Sequence, residues 1–102
     1  MFSKCKVTVV KRSYDRELVE NNLINPENFT VCKLVEDNQE FIVSSPFEMP
    51  ENMCAYAWAD IRPYILTMAS GGTFDFMKDK NSALATCTDP LRPVIFKITR
   101  LE

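Results

Sequence analysis

The sequence predicts an α+β fold: a single, mainly antiparallel sheet in the order β-α-β-β-α-β-β, with the helices packed on one side. Three observations carry that expectation. Residues 4–12 and 93–101 alternate apolar and polar side chains with a period of two. The stretch from Cys54 to Ser70 sets Trp58, Ile61, Ile65, Met68 and Ala69 at helical spacing. At 102 residues, 46% apolar and 25% charged, the chain has the size and mix of one globular domain, residues 1–102, without linker or repeat.

The elements follow in order. In the first strand Cys5, Val7 and Val9 turn to one face and Lys4, Lys6 and Thr8 to the other. Asp15 to Ile24 reads as a short amphipathic helix, with acids in its first turn and Leu18, Val19 and Leu23 on one side; Asn25-Pro26 ends it. Val31 to Val35 and Gln39 to Val43 read as two strands about a Glu36-Asp37-Asn38 turn, where asparagine tolerates positive φ. Pro46 to Pro50 is an extended loop.

Within Cys54 to Ser70, Pro63 allows two readings. Either the helix kinks there, or its regular part begins with Asp60 as N-cap and Pro63 in the first turn. Gly71-Gly72 stops it. After a loop at 73–82, Ala83 to Thr88 forms a short strand, and Thr88 to Pro93 turns tightly into the last one. There Val94, Phe96 and Ile98 face inward and Lys97 and Thr99 outward. The first and last strands share a basic outer face and are expected to be neighbours.

Charge is unevenly laid out beneath a net value of −2. Residues 1–14 carry Lys4, Lys6, Lys11 and Arg12 and no acid, whereas residues 15–89 hold five bases against thirteen acids. Adjacent end strands would gather Lys4, Lys6, Lys11, Lys97 and Arg100 into a basic strip. Nucleic acid is nonetheless not the expected partner, because the pI is near 5.2 and no exposed aromatics accompany the strip. No stretch approaches the ~20 apolar residues that span a bilayer, so no membrane partner is expected. The charged start, with no apolar run, predicts a cytoplasmic protein whose cysteines stay reduced.

The chain has no histidine, which removes Ser-His and Cys-His pairs and HExxH metal sites. No phosphate-binding glycine loop is present either. Cys5, Cys32, Cys54 and Cys87 lie 27, 22 and 33 residues apart, without the close pairs typical of zinc or iron–sulfur sites. Plain core packing is the preferred reading of these thiols; a metal, iron–sulfur or redox site built from Cys54 and Cys87 with Cys5 or Cys32 is the alternative.

Two segments concentrate polar chemistry. In Cys54 to Arg62, Trp58 would wall a pocket, with Asp60 as an acid or base and Arg62 holding an anion; set against this, Trp58 anchors the core, Asp60 caps the helix and Arg62 is solvated. In Cys87 to Pro93, a thiol, Asp89 and Arg92 share one rigid loop, and loops of this kind carry sites, although Asp89-Pro90 is equally an ordinary turn.

Cys5-Lys-Val-Thr-Val, Gln39-Glu-Phe-Ile-Val, Cys54 with Trp58-Ala-Asp-Ile, Gly71-Gly72-x-Phe74, and Cys87-Thr-Asp with Arg92-Pro-Val-x-Phe-Lys-Ile run through nearly the whole chain. In these the sequence resembles a family of small conserved hypothetical proteins found mainly in anaerobic bacteria and archaea. The resemblance implies that those segments are family features. It brings no catalytic residues, because the family has no established activity. Pro90 departs from the glycine expected after that aspartate, and proline fixes φ near −65° there.

The expectation is therefore a non-catalytic binding or accessory module, with Cys54, Trp58, Asp60, Arg62, Cys87, Asp89 and Arg92 as candidate ligand-binding residues. A small anionic ligand or a protein partner would occupy them; the oligomeric state is left open, a homodimer included. The thiol site comes second, and a histidine-free enzyme with Asp60 or Asp89 as general base third. No cofactor is named by the sequence.

Overall fold

The computed structural model describes residues 1–101. Its strands are β1 (Cys5–Arg12), β2 (Glu40–Val43), β3 (Ser82–Thr86) and β4 (Val94–Arg100), and its helices α1 (Arg16–Asn22) and α2 (Ala55–Ala69), with a single 3-10 turn at Pro26–Asn28. The fold is α+β. One antiparallel sheet runs β2-β1-β4-β3, so the first and last strands lie side by side at its centre.

Alternation along those strands decides the core. Cys5, Val7 and Val9 of β1 and Val94, Phe96 and Ile98 of β4 are all buried on one face. Against them α2 lays Ala57, Ile61, Ile65, Met68 and Ala69, each inaccessible or nearly so. Burying side chains such as Ile61 and Ile65 contributes about 1.5–3 kcal/mol apiece.

Helix α2 is continuous from Ala55, with Cys54 as N-cap and Pro63 inside it. The reading that starts the helix at an Asp60 cap is thereby corrected. Pro63 is tolerated because it and Ala59, whose carbonyl the missing N–H leaves unpaired, are both on the exposed side. The helix ends as predicted, in a Schellman turn: Gly72 N donates to Thr67 O at 2.8 Å, and Gly71 N to Met68 O at 3.2 Å. Gly71 takes φ +96°, and a Cβ on Gly72 would sit 2.7 Å from Thr67 Cγ2.

Helix α1 begins as expected, Asp15 Oδ1 accepting from Leu18 N at 3.1 Å. It is shorter than predicted and rests against the Pro26–Asn28 turn instead of the sheet. Only Val19 of its apolar face is buried, while Leu18 is 42% exposed. So α2 alone covers the sheet.

A larger correction concerns residues 31–35, which form an irregular segment and no strand. The turn beside them is as predicted, with Asn38 at φ 66°. The cause of the irregularity lies at the end of β1. Between Val9 and Lys11 the register against β4 slips, leaving Val10 as a bulge. The slip reverses the parity of β1: odd residues face the core up to Val9, but beyond the bulge it is Arg12, paired with buried Val94, that does so. Arg12 then donates from one guanidinium nitrogen to the carbonyls of Cys32 (2.8 Å) and Val35 (3.0 Å), and from Nε to Asp37 (2.8 Å). The segment is held by this side chain in place of a strand ladder.

Arg100 is likewise removed from the predicted basic strip. Opposite Cys5 on the core face, it donates to the carbonyls of Met68 and Gly72 at the end of α2 and to Asn81. Its role is to hold the helix end to the sheet. Lys6 on the outer face stands 3.7 Å from Glu40, which shortens the strip further.

Candidate functional site

At the end of the sheet where β4 begins and β3 stops, three segments surround a cleft of about 500 Å³. One wall is the first turn and a half of α2, with Cys54, Tyr56, Ala57 and Asp60. The second is the β3–β4 connection, with Cys87, Thr88, Asp89 and Arg92. The third is Cys32 to Val35, held by Arg12. Val35, Ala57, Val94 and Phe96 give it an apolar floor. The two segments singled out from the sequence thus meet in one place.

They are tied together directly. Asp60 Oδ2 accepts from Thr88 N at 2.8 Å and from Thr88 Oγ1 at 3.0 Å. Asp60 is therefore a cross-link between helix and loop, where the sequence suggested a cap or a catalytic acid. The loop closes on itself through Cys87, whose N donates to Val94 O at 3.1 Å and whose Sγ accepts from Val94 N at 3.3 Å. Asp89 Oδ1 accepts from the N–H groups of Leu91 (3.0 Å) and Arg92 (3.2 Å), and Oδ2 from Arg92 Nε (3.2 Å). Burial alone would push the Asp89 carboxyl up; the two backbone donors and the guanidinium outweigh it and hold the group below the usual range.

Arg92 also lies over the Phe29 ring, 4.6 Å from its centroid. Held between Asp89 and Phe29, it lines the cleft. Lys33 is the other cation of the lining. The positive end of α2 adds to them. Cys54 makes no side-chain capping bond there, and the first turn contains no acid.

Two predicted residues lie elsewhere. Arg62 donates to Pro46 O at 2.8 Å and stacks on Phe47, so it holds the 46–47 loop and not an anion in the cleft. Trp58 is half-buried against the core and does not line the cleft. Of the four free cysteines, Cys32, Cys54 and Cys87 line the cleft, while Cys5 is wholly buried beneath α2, where burial pushes its thiol up. Among the described residues no group of three Cys, Asp or Glu side chains is placed to hold a metal ion. No helix among them is long and apolar enough to cross a membrane.

Sequence reading missed Lys33, Leu34, Val35 and Tyr56. The first three are expected in a strand, and Tyr56 is given no role there. One signal was available: Lys33-Leu34 interrupts any clean two-residue alternation, and both are exposed in the fold, Leu34 at 71%. No protein-family model, curated protein or solved structure matches the chain.

Proposed function

We propose that the protein is a small cytoplasmic binding module whose cleft takes an anion with an apolar body. The observation that carries the reading is the convergence of the α2 start, the Cys87–Arg92 loop and the Cys32–Val35 wall on one cleft with an apolar floor. A pocket of this size, mostly apolar with a few placed polar groups, is the usual form of a small-ligand site. Its acids are already engaged, Asp60 by Thr88 and Asp89 by its own loop, which leaves Arg92 and Lys33 as the charged groups with capacity for a ligand. Leu34 and Tyr56, 71% and 83% exposed on facing walls, are apolar lips that a ligand's body would cover. Four free thiols suit a reducing compartment. Two of the segments that carry the family resemblance, Cys54 to Ile61 and Cys87 to Ile98, contribute residues to the cleft.

The test is a set of probe anions, 2-naphthoate and decanoate, with 2-naphthol and decanol as uncharged controls, followed by amide NMR and calorimetry. Expected are shifts confined to residues 32–35, 54–60 and 87–94, with Arg92→Gln weakening the anions roughly 10-fold or more and the alcohols little. Equal binding of alcohols and anions, indifference to Arg92→Gln, or no binding at all would sink the reading.

A thiol-based site is the second reading, favoured by the three cysteines on the cleft wall. Since no metal-holding group is present among the described residues, that reading narrows to a redox or alkylatable cysteine. An enzyme using Asp89 as base has less support, because a carboxyl held below its usual range is a weaker base.

A further inference from the structure

The two edges of the sheet are not alike. The β2 edge is short, carries Glu40, and has Pro50 to Asn52 beside it, the strand and that turn lining one shallow depression. The β3 edge reads Ser82-Ala-Leu-Ala-Thr86: it has no charge, proline or glycine, and its register along β4 is unbroken. Charges, prolines and bulges are the usual devices that keep an edge from taking another strand. Here none is present.

Backbone directions follow from the ladder. Arg100 N donates to Asn81 O, and Cys87 N to Val94 O, so the odd-numbered residues of β3 bond β4. The even-numbered Ser82, Leu84 and Thr86 turn their N–H and C=O groups outward. Ser82 is buried, its N–H taken by Asp79 O at 3.1 Å. Leu84 and Thr86 are exposed, and among the described residues nothing accepts from their N–H groups.

We propose that a second copy of this chain pairs here, β3 against β3, antiparallel about a two-fold axis through Ala85. In that register Leu84 stands opposite Thr86 of the second copy, and each outward N–H meets an outward C=O. The contact is self-complementary, as two-fold symmetry demands. It brings no like charges together, because the strand has none. Asp60, bonded to Thr88 just past β3, marks the stripe of α2 nearest this edge, which Pro63, Tyr64 and Thr67 continue. The four-stranded sheet would become one continuous sheet across both copies, with the two clefts near the new seam.

Sedimentation of the full chain from ~1 μM to ~1 mM tests this, a range that brackets weak to moderate dimers. A monomer–dimer equilibrium is expected. Thr86→Pro removes an outward N–H without touching the β3–β4 ladder, and Leu84→Lys places a charge on the edge; each should weaken the dimer on the order of 10-fold or more with the circular dichroism unchanged. A chain monomeric throughout, or a dimer that both folded variants leave intact, would overturn the proposal. If Thr86→Pro does not fold, amide exchange of the native chain decides: exchange at Leu84 and Thr86 should slow as concentration rises, and exchange independent of concentration would overturn it equally.

Discussion

Asp60, on the second turn of α2, accepts both the backbone N–H and the hydroxyl of Thr88 on the β3–β4 loop, at 2.8 and 3.0 Å. One carboxylate oxygen thus joins two segments 28 residues apart and sets the width of the cleft between them. Asp60→Ala leaves the Thr88 pair without its acceptor and should lower stability by about 1–2 kcal/mol in urea unfolding. Thr88→Val keeps the backbone bond and loses the hydroxyl, so its cost should be smaller. Equal losses would mean that the backbone bond is not the link.

Arg12 acts through shape rather than charge. Its guanidinium holds the carbonyls of Cys32 and Val35 and the Asp37 carboxylate at once, a fork that lysine cannot reproduce. Arg12→Lys should therefore loosen this segment, raising exchange at the bonded amides of Glu36, Asn38 and Gln39 at least 10-fold while exchange in β4 stays as it was. Unchanged protection of those three amides would count against this account of the wall.

The Asp89 turn gives a signed pH dependence. Its folded carboxyl titrates below the ordinary carboxylate range, near 3.9 when unfolded, so its contribution is present above that value and is lost as pH falls through the folded one. Asp89→Asn should flatten the acid limb of the stability curve below about pH 4, with little change in slope above it. A parallel shift of the whole curve would assign the role to packing.

Thiol accessibility distinguishes the cysteines. Cys32, Cys54 and Cys87 line the cleft, whereas Cys5 is wholly inaccessible with its thiol pushed up by burial. Iodoacetamide on the native protein should label the first three and spare Cys5 until denaturant is added, as read by peptide mass. Labelling of Cys5 at the same rate would contradict the burial.

At the helix stop, Gly71→Ala puts a side chain at φ +96°, and Gly72→Ala drives a Cβ into Thr67. Each should lower thermal stability, Gly71→Ala by roughly 1 kcal/mol or more. Thr67→Ser should relieve part of the Gly72→Ala loss, since it removes the Cγ2 that the new Cβ would meet at 2.7 Å.

Much of the fold was written locally. Alternation in residues 4–12 and 93–101 specified strands and their inner faces, because the side-chain period of a strand is set by the backbone itself. Helical spacing and Gly71-Gly72 specified α2 and its end, and Asn38 specified its turn, through conformational preferences each residue carries wherever it stands. The gathering of Asp60, Cys87 and Arg92 could be suspected only from the nature of the two segments, not from any spacing. What tertiary structure decided was everything that turns on a partner far along the chain. The bulge at Val10 reversed the parity of β1, sent Arg12 into the core side and drew residues 32–35 out of a strand into the cleft wall. The same logic moved Arg100 to the end of α2 and Arg62 to the 46–47 loop. A guanidinium or carboxylate goes where buried carbonyls and N–H groups need a partner, and that need exists only once the chain has folded.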